Sequence, residues 1–276
     1  MKPPLTTTFT CAVILAGLFS GNAIGLAQAG REPQTAASRA AGMAGSVISG
    51  DEEIAKELAA FLEKAAAANA FSGAVLLSKN GQPIFKQAYG LANQNANSLN
   101  NLETKFNIGS MNKMFTAVAV AQLAERGKLS FDDTISKHLP DYPNQAIAAK
   151  VTIHQLLTHT SGMGNYQNEK YLAQLDKMRT VGDLLTLFVN EPLAFEPGAK
   201  WQYSNSGYVV LGAIIEKVSR QSYFDYVKEH IFKPAGMSDT ESYEKSANVS
   251  NLAIGYTRMN PGGQTAPGPL RCGSDP

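Results

Sequence analysis

The sequence predicts an α/β protein of the α+β kind, with a helical part standing beside an antiparallel sheet. Three observations carry that prediction. Two strand-like runs, residues 71–77 and 83–89, flank Lys79-Asn80-Gly81, and Asn-Gly between such runs is the strongest short hairpin signal. An apolar run opens at Ser110 and reaches to about residue 123, with Gly127 placed where a helix ends. Beyond Gly127 the pattern is mainly helical, with loops between.

The chain has 276 residues, 44% hydrophobic and 17% charged, which is ordinary for a globular protein of one or two domains with a sizeable core. Its formal net charge of +1 gives no electrostatic case for a nucleic-acid or anionic-membrane partner.

Residues 1–29 read as a secretory signal: Lys2 is the charged start, residues 11–19 the apolar centre, and Ala27-Gln28-Ala29 the small-residue cleavage site. Cleavage near Ala29 predicts a periplasmic or secreted chain with no integral membrane span. Cys272 is then its one cysteine, so no intramolecular disulfide can form. Residues 30–50, rich in Ala, Gly and Ser, read as a flexible leader, and 51–276 as the folded domain.

Asp51 begins a helix with Ile54, Leu58, Phe61, Leu62 and Ala65 on one face. After the hairpin, the asparagine-rich residues 91–102 read as loop. Met111, Met114, Phe115, Ala117, Val118, Val120, Ala121 and Leu123 then make a helix apolar on nearly every side, which predicts burial. The run is too short to span a membrane. Val151-Thr152-Ile153 leads a further helix to Leu157, ending at His159-Thr160-Ser161-Gly162, and residues 163–170 are a polar loop. Thr180 can cap a helix through Leu184, Leu185 and Phe188. Phe195-Glu196-Pro197-Gly198 is a turn, residues 208–218 a largely apolar helix, and 223–232 an amphipathic one.

Ser110 and Lys113 are three apart, so on a helix they share a face. That geometry lets a lysine take the proton of a serine nucleophile, while the free N–H groups of a first turn favour an oxyanion. Equally, Ser110 can be a cap and Lys113 a snorkelling surface residue. Ser242-Tyr243-Glu244-Lys245 has the same spacing in a polar segment. Tyr203-Ser204-Asn205 is the second candidate: a tyrosine near an ammonium can exchange protons with a leaving group, and an asparagine can both donate and accept. Tyr142-Pro143-Asn144 and Tyr166-Gln167-Asn168 share its letters, but Tyr203 alone sits between a Pro-Gly turn and an apolar helix. A Ser-His-Asp hydrolase is weakened by the lack of a Gly-x-Ser-x-Gly elbow. His159, at a helix end, is expected to bond carbonyls of the last turn. No metal-ligand spacing or phosphate loop is present, and no cofactor is expected.

From about residue 71 to 257 the chain resembles the serine β-lactamase-like hydrolases, the branch shared by class C β-lactamases, D-Ala-D-Ala carboxypeptidases and related esterases. The resemblance rests on the hairpin, Phe106-Asn107-Ile108-Gly109-Ser110-Met111-Asn112-Lys113, and Gly127-Lys128-Leu129-Ser130 with Asp132-Asp133. It continues through residues 153–162, Phe195-Glu196-Pro197-Gly198, residues 203–208 and Lys233-Pro234-Ala235-Gly236-Met237. It implies a β-lactamase/transpeptidase-like fold. It also implies Ser110 as acylated nucleophile, Lys113 as its proton partner, Tyr203 as base and then acid, and Asn205 as the holder of a substrate amide. No metal or cofactor is implied. The substrate would be a small molecule or peptide, possibly derived from peptidoglycan, and the oligomeric state is open.

One family element has no match. A Lys/His-x-Gly triplet should follow Tyr-x-Asn on a strand, and the letters occur only at Lys79-Asn80-Gly81 in the hairpin turn. From Asn260 onward the sequence reads as loop without a closing strand or helix. The expectation is therefore a C-terminally truncated or frame-shifted chain with an incomplete sheet.

Overall fold

The computed structural model describes residues 50–167, 169–174, 177–243, 248–257 and 271–272. The signal-like residues 1–29, nearly all of the leader 30–50, Glu244-Lys245 and most of the stretch after Asn260 lie outside them.

Helix α1 (Gly50–Ala67) starts on Asp51, Glu52 and Glu53, acidic residues that suit the positive end of a helix dipole. Its expected apolar face is covered only in part: Leu62 is buried and Leu58 and Ala65 half-buried, but Ile54 is 51% and Phe61 67% exposed. The helix packs against strand β2 (Gln82–Tyr89), while Ile54 and Phe61 stay exposed.

Strands β1 (Gly73–Lys79) and β2 pair antiparallel from Gly73 opposite Tyr89 to Lys79 opposite Gln82. Asn80 and Gly81 have φ of 51° and 76°, and two positive values in succession are what a type I′ hairpin turn requires. Residues 91–102, expected as loop, instead contain a small antiparallel pair, β3 (Leu91–Asn93) and β4 (Ser98–Leu99). Asparagine side chains hold that segment from within: the Asn100 amide donates 2.9 Å to the Tyr89 carbonyl, and Asn93 Oδ1 accepts from Ala96 N–H.

Ser110 lies in a 3₁₀ turn (Gly109–Asn112), and α2 (Lys113–Glu125) begins at Lys113. The serine thus stands one turn ahead of the α-helix rather than inside it. Nor is α2 buried on all sides. Phe115, Ala119, Val120 and Leu123 form its inner stripe, whereas Met111, Met114 and Val118 are exposed on the opposite flank. Arg126 and Gly127 close it as expected, with Gly127 at φ 64°.

The remaining helices are α3 (Ile135–His138), α4 (Gln145–Ala148), α5 (Ile153–Leu157), α6 (Glu169–Gln174), α7 (Val181–Leu185), α8 (Asn205–Ser219) and α9 (Tyr223–Val227). A π-helical turn (Lys228–Phe232) continues α9. Capping boxes begin two of them, Thr152 with Gln155 at α5 and Thr180 with Asp183 at α7. α7 stops at Leu185, so Phe188 reaches the core from a turn rather than from the helix.

α8 is the centre of the helical part, packed by α2, α3, α5, α7 and α9. Val210, Leu211, Ile214 and Ile215 on it are wholly buried. Each such side chain stabilises the fold by about 1.5–3 kcal/mol. Its N-terminus is therefore one of the most firmly placed points in the molecule.

The antiparallel β structure consists of separate two-stranded pairs, the third being β5 (Tyr256–Thr257) with β6 (Arg271–Cys272). The tail expected to lack a strand thus supplies a short one. Leu252 adds a single parallel bridge to Lys105.

Candidate active site

Two local structures deliver the predicted residues to one place. The first is the 3₁₀ turn. Gly109, at φ 51°, bends the chain into it, and the Asn107 side chain accepts the Gly109 N–H at 2.8 Å. The Met111 N–H closes the turn on the Ile108 carbonyl at 3.0 Å. Ser110 N–H belongs to this opening turn, where a helix supplies no acceptor of its own.

The second is the start of α8. Ser204 is its N-cap, with Oγ accepting the Gly207 N–H at 3.0 Å and donating to the Gly164 carbonyl at 2.8 Å. The serine is buried and its backbone extended, so its neighbours Tyr203 and Asn205 turn outward.

Across 93 residues of sequence, Tyr203 Oη lies 2.6 Å from Ser110 Oγ. Lys113 Nζ donates to Ser110 Oγ at 3.2 Å and to Asn205 Oδ1 at 2.8 Å. The same ammonium stands 5.0 Å from the Tyr203 ring centroid and 5.4 Å from that of Tyr208. All four predicted residues are therefore brought together.

Burial pushes the Tyr203 phenol up, but hydrogen bonding by Lys113 and Ser110 and the Lys113 charge outweigh it, so its pKa is lowered. Tyr208 goes the other way: burial, then the neighbouring Tyr203, raise it. Its Oη donates 3.0 Å to the Leu157 carbonyl. Of the two adjacent phenols, Tyr203 is thus the one whose ionised form the surroundings favour.

Three further residues contribute: Asn165 and Gln167, which the sequence did not single out, and His159, which was expected to do other work. Asn165 Oδ1 accepts the Asn205 N–H at 2.7 Å, and Gln167 Oε1 accepts from Asn205 Nδ2 at 2.8 Å. The Asn205 amide is thereby oriented, oxygen toward Lys113 and nitrogen toward Gln167. The third is His159. Its backbone N–H reaches the Leu156 carbonyl of the last turn at 3.5 Å, but its ring turns elsewhere: Nδ1 accepts the Ser204 N–H at 3.1 Å. His154 is exposed. The rival triplets have other work. Tyr142 is buried in the core, which pushes its phenol up to about 12, and Asn144 caps α4. Tyr166 packs beside Phe188, while Asn168 lies outside the described residues. Lys79 of the early Lys-x-Gly pairs with Asp51 at 2.6 Å. Among the described residues no cluster of three or more His, Cys, Asp or Glu converges on a metal position.

A family model described as Beta-lactamase matches residues 58–276. The chain belongs to the beta-lactamase family. Penicillin-binding protein 4* of Bacillus subtilis is 35% identical over 208 residues, covering 73% of this chain and 45% of that protein. The solved penicillin-binding protein from Bacillus halodurans is 35% identical with a TM-score of 0.63, over 74% of this chain and 62% of the other. EstCE1, a hydrolase with promiscuous acyltransferase activity, is 27% identical with a TM-score of 0.68, over 81% and 60%. A class C beta-lactamase shares the fold, with a TM-score of 0.64 over 75% of this chain and 56% of that one. The chain thus spans about half the length of the curated relatives it matches. No described helix is long and apolar enough to cross a membrane.

Proposed function

We propose that this chain is an exported serine hydrolase that cleaves an amide or ester bond through an acyl-enzyme on Ser110. The observation that carries the reading is the 2.6 Å contact between Ser110 Oγ and the pKa-lowered phenol of Tyr203. Ser110 gives its proton toward Tyr203, with Lys113 steadying the charge, as Oγ attacks the substrate carbonyl carbon. The resulting oxyanion is met by the Ser110 N–H. As the tetrahedral intermediate collapses, Tyr203 returns the proton to the departing nitrogen or oxygen. Water then repeats the attack on the acyl-enzyme, with Tyr203 again as base. Asn205, oriented by Lys113 and Gln167, holds the substrate amide.

Relatives described as penicillin-binding proteins, and one as a hydrolase with acyltransferase activity, support a β-lactam, D-Ala-D-Ala-type peptide or short ester as substrate class. The signal-like residues 1–29 support export to the periplasm or outside. The competing reading is a relative that holds its ligand in the same cluster without turnover.

Intact mass of the chain after exposure to a penicillin, and separately to a fluorophosphonate, tests both readings beside Ser110→Ala. An adduct on the parent chain and none on the variant is the expected result. A cooperatively folded parent chain with no adduct refutes the hydrolase and leaves the binding relative. An adduct that persists without product release separates acylation from turnover, since one missing oxyanion donor costs about 10²–10³-fold in rate.

A further inference from the structure

His159 is the one histidine that touches the candidate site, yet among the described residues it bonds neither Ser110 nor a carboxylate. Its ring faces Tyr203 at 4.6 Å and Tyr208 at 5.1 Å between centroids, both tilted, and meets Trp201 edge-on at 6.0 Å. Its backbone is left-handed, φ 59°, a conformation in which His, Asn and Asp are enriched among non-glycine residues. From that position one residue makes two bonds to the same partner segment: the carbonyl accepts the Gln202 N–H at 2.9 Å, and Nδ1 accepts the Ser204 N–H at 3.1 Å. Thr160 and Gly162 continue the run with carbonyl bonds to Gly198 and Ala194 N–H, each 2.8 Å. The residue between the two bonded N–H groups is Tyr203.

We propose that His159 is a positioning residue for Tyr203, holding the Ser204 N–H on Nδ1 as the neutral Nε2–H tautomer while its ring walls the phenol. The inference rests on the proposed role of Tyr203. An imidazole nitrogen that accepts a hydrogen bond carries no proton, so in the neutral ring the proton is on Nε2. His159 is therefore a brace and not a general base. Burial and then the Lys113 charge lower its pKa, which keeps it neutral near pH 7. The groups that face it are Lys113, Tyr203, Tyr208 and Trp201, so protonation would set a second cation beside Lys113 and turn an N–H toward the Ser204 N–H.

His159→Asn and His159→Gly separate the roles. Asparagine tolerates the left-handed backbone and places an oxygen near the Nδ1 position; glycine keeps the backbone and removes the acceptor and the wall. Fluorophosphonate labelling of the whole chain should be within a few-fold of wild type in H159N. In H159G it should be about 10- to 100-fold slower, the cost of a buried N–H left unpartnered, with the loss in the inactivation rate rather than in reagent affinity. The acid-side fall in labelling of the wild type should also weaken in H159N, which has nothing to protonate there. Wild-type labelling in H159G overturns the proposal, and so does an H159N as slow as H159G, which would give Nε2 the work. If the wild type does not label at all, the hydrolase reading has failed instead. The placement of His159 is then still decided by long-range ¹H–¹⁵N correlation of its imidazole, assigned with H159N. An Nε2–H pattern supports the brace, and an Nδ1–H pattern refutes it.

Discussion

Replacing Lys113 by methionine tests whether one ammonium sets the chemistry of the whole cluster. Methionine keeps most of the stem and its packing, so the change is confined to the charge. Two charge-assisted hydrogen bonds disappear, 3.2 Å to Ser110 Oγ and 2.8 Å to Asn205 Oδ1. Each such bond is worth about 1.5–3 kcal/mol, or about 10- to 150-fold if it tightens in the transition state. The larger effect is on Tyr203. Burial pushes that phenol up, and Lys113 supplies most of what holds it down, by hydrogen bonding and by charge. Without the ammonium its pKa rises, and each unit of rise removes about tenfold of the phenolate at a given neutral pH. Acylation at pH near 7 should therefore fall by about 10²–10⁴-fold, the range for a lost general base. The pH–rate curve should also shift toward alkali. The assay is fluorophosphonate labelling rate against pH for wild type and K113M, with circular dichroism showing the same fold. A K113M curve with its rise at the wild-type pH would show that Lys113 does not tune Tyr203. Full activity in K113M would refute the mechanism and return the histidine-based esterase to contention.

Two predictions concern the frame around the site. Gly162→Ala should unfold the chain early: Gly162 has φ +79°, and a Cβ there would lie 2.2 Å from the Phe195 carbonyl oxygen. Left-handed strain of about 1–2 kcal/mol plus overpacking of about 1–3 kcal/mol gives a loss of about 2–5 kcal/mol in urea melts. A loss below about 1 kcal/mol would mean that the 159–162 run gives way easily. Asp133 predicts an acid-sensitive corner between α2 and α3. Its carboxylate accepts the Ser130 N–H at 2.8 Å and pairs with Lys137 at 2.6 Å and His138 at 2.8 Å. Burial pushes it up, but those partners win and lower its pKa from 3.8 to about 2. A depressed carboxylate stabilises the fold above its unfolded pKa, so this contribution is complete above about pH 4 and lost as pH falls toward about 2. It amounts to about 2 kcal/mol at most, reduced because Lys137 is 61% exposed. Asp133→Asn should flatten the acid limb of stability in urea melts between about pH 4 and 2, and an unchanged limb would refute the assignment.

What the sequence revealed and what it hid divide by the range of the interactions. Asn80-Gly81, the Gly127 helix end and the Thr180 cap are local signals, and the structure has them where the letters stand. Ser110 and Lys113 were legible together because their spacing is itself local, although a 3₁₀ turn and not an α-helix brings them into line. The β3–β4 pair was not legible, because its support is remote: Asn100 reaches back to Tyr89, and Tyr256 Oη accepts the Gln94 N–H from the far end of the chain. Likewise the exposed flank of α2 could not be read from its letters, since an all-round apolar helix does not say which side receives a neighbour.

Tyr203 shows what distinguishes the proposed catalytic triplet from its copies. Three Tyr-x-Asn triplets occur, and their side-chain chemistry is the same. In Tyr142-Pro143-Asn144 the tyrosine is buried and the asparagine is spent on capping a four-residue helix. In Tyr203-Ser204-Asn205 the burial is reversed: the middle residue is inside, and the outer two face the cluster. Ser204 can hold that place because its hydroxyl is satisfied twice, by Gly207 and Gly164, and its N–H once, by His159. Behind it α8 fixes the axis with a wholly buried apolar face. A half-buried phenol loses rotamer freedom cheaply only when its backbone is already fixed, and here the fixing comes from the buried neighbour. The position of Tyr203 against Ser110 therefore rests on Ser204 and His159, residues to which the proposed reaction assigns no chemistry of their own.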